Sequence, residues 1–69
     1  MEDCSPSALS TRELECIKWA ANGYSAKEIA YKMSINARTV ESHLNHARLK
    51  IGARNRVHAA VFAVRKGWI

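Results

Sequence analysis

Within "SINARTVESHLNHARLK" (residues 34–50), hydrogen-bonding side chains recur at helical spacing: Arg38, Ser42, Asn45 and His46, with Glu41 among them. Guanidinium and amide groups address acceptor and donor edges, and a hydroxyl serves either, so these residue types suit recognition better than bond-making. A catalytic triad would need a third member for any histidine pair, and Asp3, the sole aspartate, lies near the N-terminus. No enzyme is expected. Cys4, Cys16, His43 and His46 could be drawn together as a metal set. Their Cys-x11-Cys and His-x2-His spacings match neither a zinc finger nor a ribbon, so no metal and no cofactor is expected.

Charge narrows the partner. The net value is +5, but from residue 29 onward a single acid, Glu41, stands against eight bases, while the first fifth is acidic. Such a basic half is an electrostatic footprint for a polyanion; charge alone also fits a solvated basic surface. The longest apolar run, Ala59 to Val64, is far too short for a membrane span. Residues 1–10 lack the basic and apolar pattern of a signal peptide, so a cytoplasmic location is the default expectation.

The elements that must position these side chains are helical. Ser10-Thr11-Arg12-Glu13 and Ser25-Ala26-Lys27-Glu28 have capping-box spacing, and Asn22-Gly23 reads as a helix end. Asn36 can cap a third helix closed by Gly52, and Asn55 a fourth that ends at Gly67. The expected architecture is all-α, a tetrahelical helix-turn-helix domain with helices over about 11–22, 26–33, 37–51 and 56–66. Residues 1–8 read as a flexible tail before a domain spanning 9–69. A chain of 69 residues buries a limited core, so its stability is marginal or assisted by a partner.

Helices two and three are separated by Ser34-Ile35-Asn36, the connection length of a helix-turn-helix, in which the second helix enters the DNA major groove. Val40, Leu44, Ala47 and Ile51 make one apolar stripe on the third helix. At about 100° per residue, Arg38, Ser42, Asn45 and Leu49 lie opposite that stripe, with Glu41 and His46 at its shoulders. Thr39, His43 and Lys50 fall along one flank, within reach of phosphates. His46, Arg54 and Arg56 extend the backbone-facing set. Both histidines also have plain readings, His43 on a backbone carbonyl and His46 in solvent.

On the fourth helix Val57, Ala60, Val61, Val64 and Trp68 make the expected inward stripe, and the other side carries Ala59, Phe62 and Ala63. A helix apolar on two sides needs a second partner. Either Phe62 folds over a helix edge inside the monomer, or Ala59, Phe62 and Ala63 meet a second copy. A two-fold homodimer would match palindromic DNA.

The chain resembles the DNA-binding domain of LuxR-type bacterial transcription regulators. The resemblance rests on Leu9-Ser10-x-Arg12-Glu13, Trp19-x-Ala21-x-Gly23-x-Ser25, Glu28-Ile29-Ala30 and Ser34-Ile35-x-x-x-Thr39-Val40-x-x-His43. Lys50, Asn55-Arg56 and the ending Gly67-Trp68-Ile69 continue it over residues 9–69. It implies a helix-turn-helix with a dimerising fourth helix, base contacts from Glu41, Ser42 and Asn45, and Thr39 and His43 as phosphate or turn-fixing residues. Ser25 and Lys27 would lie near the backbone. Family members often carry a basic or amide side chain at the position of Glu41, and leucine at that of Trp68. They usually carry a sensor as well, a lactone pocket or a phosphoacceptor receiver, and 69 residues are too few to include one. The C-terminal half is closer to the lactone-sensing branch, which points to quorum sensing.

The expected function is sequence-specific binding of double-stranded DNA by a dimeric transcription regulator, with Arg38, Glu41, Ser42 and Asn45 as base readers. RNA polymerase is a further candidate partner; a membrane is not. The rival reading is a protein-interaction module using the basic surface and the fourth helix. Glu41 has two roles open to it: accepting from a cytosine amino group, or pairing with Arg38 or Arg48.

Overall fold

The computed structural model describes residues 9–69, and the tail expected over residues 1–8 lies outside them. Four helices follow one another: α1 (Thr11–Ala21), α2 (Ala26–Met33), α3 (Ala37–Ile51) and α4 (Arg56–Arg65). No strand forms among the described residues. The boundaries meet the expected ones to within a residue, because Asn22 and Lys66 act as C-caps rather than last helical residues.

Each helix begins on a side chain suited to the task. Ser10 and Ser25 make complete capping boxes with Glu13 and Glu28. Asn36 and Asn55 accept from the backbone N–H groups of Thr39 and His58, both at 2.8 Å. The ends are equally uniform. Tyr24 N–H donates to the Trp19 carbonyl, Ile35 to Ala30, Ala53 to Arg48 and Trp68 to Ala63, closing the same reversed turn four times. The residue that makes the turn has positive φ each time: Gly23, Ser34, Gly52 and Gly67.

The core is formed by Cys16 and Ile17 of α1, Ile29 of α2, and Val40 and Leu44 of α3, all 2% exposed or less. Each large aliphatic side chain so buried contributes about 1.5–3 kcal/mol. α3 packs on α1, α2 and α4, and α4 also lies along α1. The Cys16 thiol sits 3.7 Å from the Met33 sulfur, and burial pushes its pKa up to about 11.

The fourth helix is turned the other way from the sequence expectation. Ala59 and Ala63 are fully buried and Phe62 is half-buried against the core, where its ring meets Trp68 edge-on at 5.6 Å. Val57, Val61 and Val64 are exposed instead, and of the expected inward stripe only Ala60 is buried, with Trp68 half-buried. Ala59, Phe62 and Ala63, expected to meet a second copy, instead pack into or against the monomer core. Both faces of α4 are apolar, so pattern alone does not orient it. The alanines go inside because a helix side without bulk can approach its neighbours closely.

Candidate nucleic-acid interface

α2 and α3 are joined by Ser34, Ile35 and Asn36, the helix-turn-helix connection. Ser34 adopts a left-handed φ of 58°, which lets the Ile35 N–H reach back 3.0 Å to the Ala30 carbonyl. Ile35 is half-buried and packs on the core, pinning the turn. Asn36 then opens α3 with two bonds, from the Thr39 N–H and from the Thr39 hydroxyl at 3.0 Å. Thr39, expected near phosphate or in the turn, is thus engaged in fixing the turn.

α3 divides cleanly by side. Val40, Leu44, Ala47 and Ile51 are buried, while Arg38, Glu41, Ser42, Asn45 and Leu49 are exposed on the far side. Leu49, 59% exposed, is an apolar contact on an otherwise polar ridge. His43 is half-buried on the flank, and His46 and Lys50 are exposed. Ser25 and Lys27 sit at the start of α2, and Arg54 lies exposed in the loop before α4.

Three ion pairs or charged hydrogen bonds organise this surface. Arg56, on the first turn of α4, donates through Nη2 to Oε1 of Glu41. Glu41 therefore pairs with neither Arg38 nor Arg48, the partners expected from helical spacing. Arg48 is drawn the other way: its Nη2 donates to Asn45 Oδ1 at 2.8 Å and its Nη1 to the Ala53 carbonyl at 3.3 Å. Glu41, Asn45, Arg48, Arg54 and Arg56 together line a small recess of about 190 Å³ between α3 and the start of α4.

Lys50 is held from behind. Its Nζ donates at 2.8 Å to Oε1 of Glu13, an oxygen that also accepts the Ser10 backbone N–H at 3.0 Å. Burial alone would raise the Glu13 pKa, but the Lys50 and Ser10 hydrogen bonds outweigh it and hold the carboxyl below its ordinary value. The contact ties the last turn of α3 to the first turn of α1. Lys50 is still 44% exposed, so its outer N–H groups face solvent beside Glu13. Glu13 is legible in the sequence as a capping residue. Its second role crosses 37 positions and leaves no local signal.

A family model for "Bacterial regulatory proteins, luxR family" (GerE) matches residues 7–63. This chain belongs to that family. Among its relatives, the transcriptional activator protein VanR of Vibrio anguillarum is 44% identical over 99% of this chain and 29% of its own length. BjaR1, a transcriptional activator protein of Bradyrhizobium diazoefficiens, is 49% identical over 83% of this chain and 24% of its own. The quorum sensing-dependent transcriptional regulator VjbR of Brucella ovis is 41% identical over 91% and 24%. The chain thus spans about a quarter of the length of the relatives it matches. A solved structure of the transcription factor GerE superposes with a TM-score of 0.79 at 30% identity, over 86% of this chain and 88% of that one. The molecule is a luxR-family helix-turn-helix domain of the kind found in transcription regulators, and α2 and α3 form its helix-turn-helix. The fold and family expected from the motifs stand. Among residues not singled out earlier as site members, Arg48 and Glu13 carry the organising contacts.

Proposed function

We propose that this domain binds double-stranded DNA sequence-specifically, with α3 in the major groove and two copies on a two-fold site. The observation that carries this reading is the exposed ridge Arg38, Glu41, Ser42 and Asn45, on the second helix of the helix-turn-helix and opposite a buried stripe. Reading and packing use different sides of one helix, so the base-facing side chains are free to vary without cost to the core. His43, His46 and Lys50 of α3, Arg54 of the following loop, and Ser25 and Lys27 at the start of α2 would set register on phosphates, carrying no sequence information themselves. The relatives' roles as transcriptional activators and as a quorum sensing-dependent regulator support control of transcription as the output.

A gel-shift selection from random duplexes tests this reading. Recovery of an enriched half-site is expected, with log affinity falling by roughly 0.9 per log unit of salt for each phosphate neutralised. Ser42→Ala with Asn45→Ala should erase the preference at the positions those two residues read while preserving binding. A folded sample that enriches no sequence would refute specific reading. An intact preference in that double variant, with activity lost instead when the exposed valine face of α4 is altered, would favour the protein-interaction module.

A further inference from the structure

We propose that Arg48 and Arg56 are positioning residues for base recognition: Arg56 holds Glu41 as an acceptor and Arg48 turns the Asn45 amide to present its donors. The preferred partners are then a cytosine amino group for Glu41 and a guanine acceptor edge for Asn45. This rests on α3 being the DNA-reading helix.

The geometry at Asn45 fixes which way its amide faces. Oδ1 receives Arg48 Nη2 at 2.8 Å, and the same guanidinium is anchored by Nη1 on the Ala53 carbonyl. A flipped amide would set its NH₂ group against the guanidinium, donor facing donor. The NH₂ group is therefore turned away from Arg48, and Oδ1, beside a cation, is a weakened acceptor. An unrestrained asparagine pairs with adenine by using both groups, accepting from N6 and donating to N7. With its oxygen engaged, Asn45 is matched instead to the O6 and N7 acceptors of guanine, and the adjoining Arg48 reinforces that match.

Glu41 is the complement. Arg56 occupies Oε1 and offsets a charge that phosphates would otherwise repel, leaving Oε2 as a pure acceptor. Cytosine N4 is a donor, and adenine offers N6 beside N7, an acceptor that would face the carboxylate. Cytosine is the better partner. Glu41 and Asn45 are one helical turn apart, about 6 Å along the axis, which spans roughly two base pairs. Neither arginine needs to touch a base to set these preferences. Arg56 thereby changes role, from the phosphate contact expected of a basic residue to an orienting partner.

The test is half-site selection at one salt concentration with wild type, Arg48→Met, Arg48→Lys, Arg56→Met and Asn45→Ala, each checked for fold by circular dichroism. Wild type should prefer guanine and cytosine by about tenfold at two positions within two base pairs. Arg48→Met should bring guanine and adenine to within about threefold at the first position and leave the second alone. Arg56→Met should do the converse, and Arg48→Lys should partly restore guanine preference. In the Asn45→Ala background, Arg48→Met should change no preference. Uniformly weaker binding with unchanged preferences in both methionine variants would overturn the proposal, as would a shift that persists without Asn45. If wild type enriches no sequence at all, the DNA reading fails and this inference fails with it.

Discussion

Glu13 holds a carboxylate at the edge of an apolar core, 5% exposed, because two donors converge on one of its oxygens. Its depressed pKa has a definite consequence for stability. The unfolded chain binds a proton more readily than the folded one, so the stabilisation is fully present above the ordinary value of 4.5 and is lost as pH falls through the lower folded value. Glu13→Gln should cost about 1–2 kcal/mol near neutrality, since it removes a charge-assisted bond and leaves Lys50 without its counterion. Urea melts of both proteins from pH 7 to pH 3 provide the check. The gap should begin to narrow as pH falls below about 4.5 and close beneath the lower folded value, and a gap independent of pH would show that the carboxylate's charge plays no part.

At the scale of the helix, caps and turns proved the most legible features, because each depends on a residue within five positions of its partner. Ser10, Ser25, Asn36 and Asn55 all cap as their types imply. Contacts made across the fold left much less trace. The choice of Arg56 over Arg38 and Arg48 as the partner of Glu41 depends on how α4 comes up beside α3, and the burial of Ala59 and Ala63 depends on close helix approach. One local feature is strained. Ser34 occupies the left-handed conformation that Gly23, Gly52 and Gly67 take at the other three helix ends. That conformation costs an L-residue roughly 1 kcal/mol. Ser34→Gly should therefore stabilise by about 0.5–1 kcal/mol and raise Tm by about 3–6 °C. At Gly52 an added Cβ would meet no atom within 4 Å, so Gly52→Ala should destabilise by a similar amount through φ alone. Calorimetric melts would decide both, and a Ser34→Gly variant that melts lower would mean the serine side chain has a stabilising contact of its own.

Over the whole molecule, the exposed side of α4 faces an open apolar groove of about 500 Å³ shared with the end of α1 and lined by Ala20, Tyr24, Val57, Val61 and Val64. Three valines 40–68% exposed on one helix face are costly to leave in water, and a second copy would cover them symmetrically. Arg56 and Arg65 border the same groove. Arg56 is already paired with Glu41, but two copies would bring their Arg65 charges together, so self-association should be weak in free solution and strengthen on DNA, where adjacent half-sites hold the copies side by side. Val61→Lys tests this directly. Since Val61 lies outside the core, the variant should melt within a few degrees of wild type and bind a single half-site to within about twofold. On a duplex with two half-sites wild type should bind cooperatively and Val61→Lys should not. Ala59→Lys is the contrasting change: it forces an ammonium group into a fully buried site and should unfold the domain. Gel shifts titrated on one- and two-site duplexes separate these outcomes, and cooperativity that survives Val61→Lys would place the contact between copies on some other surface.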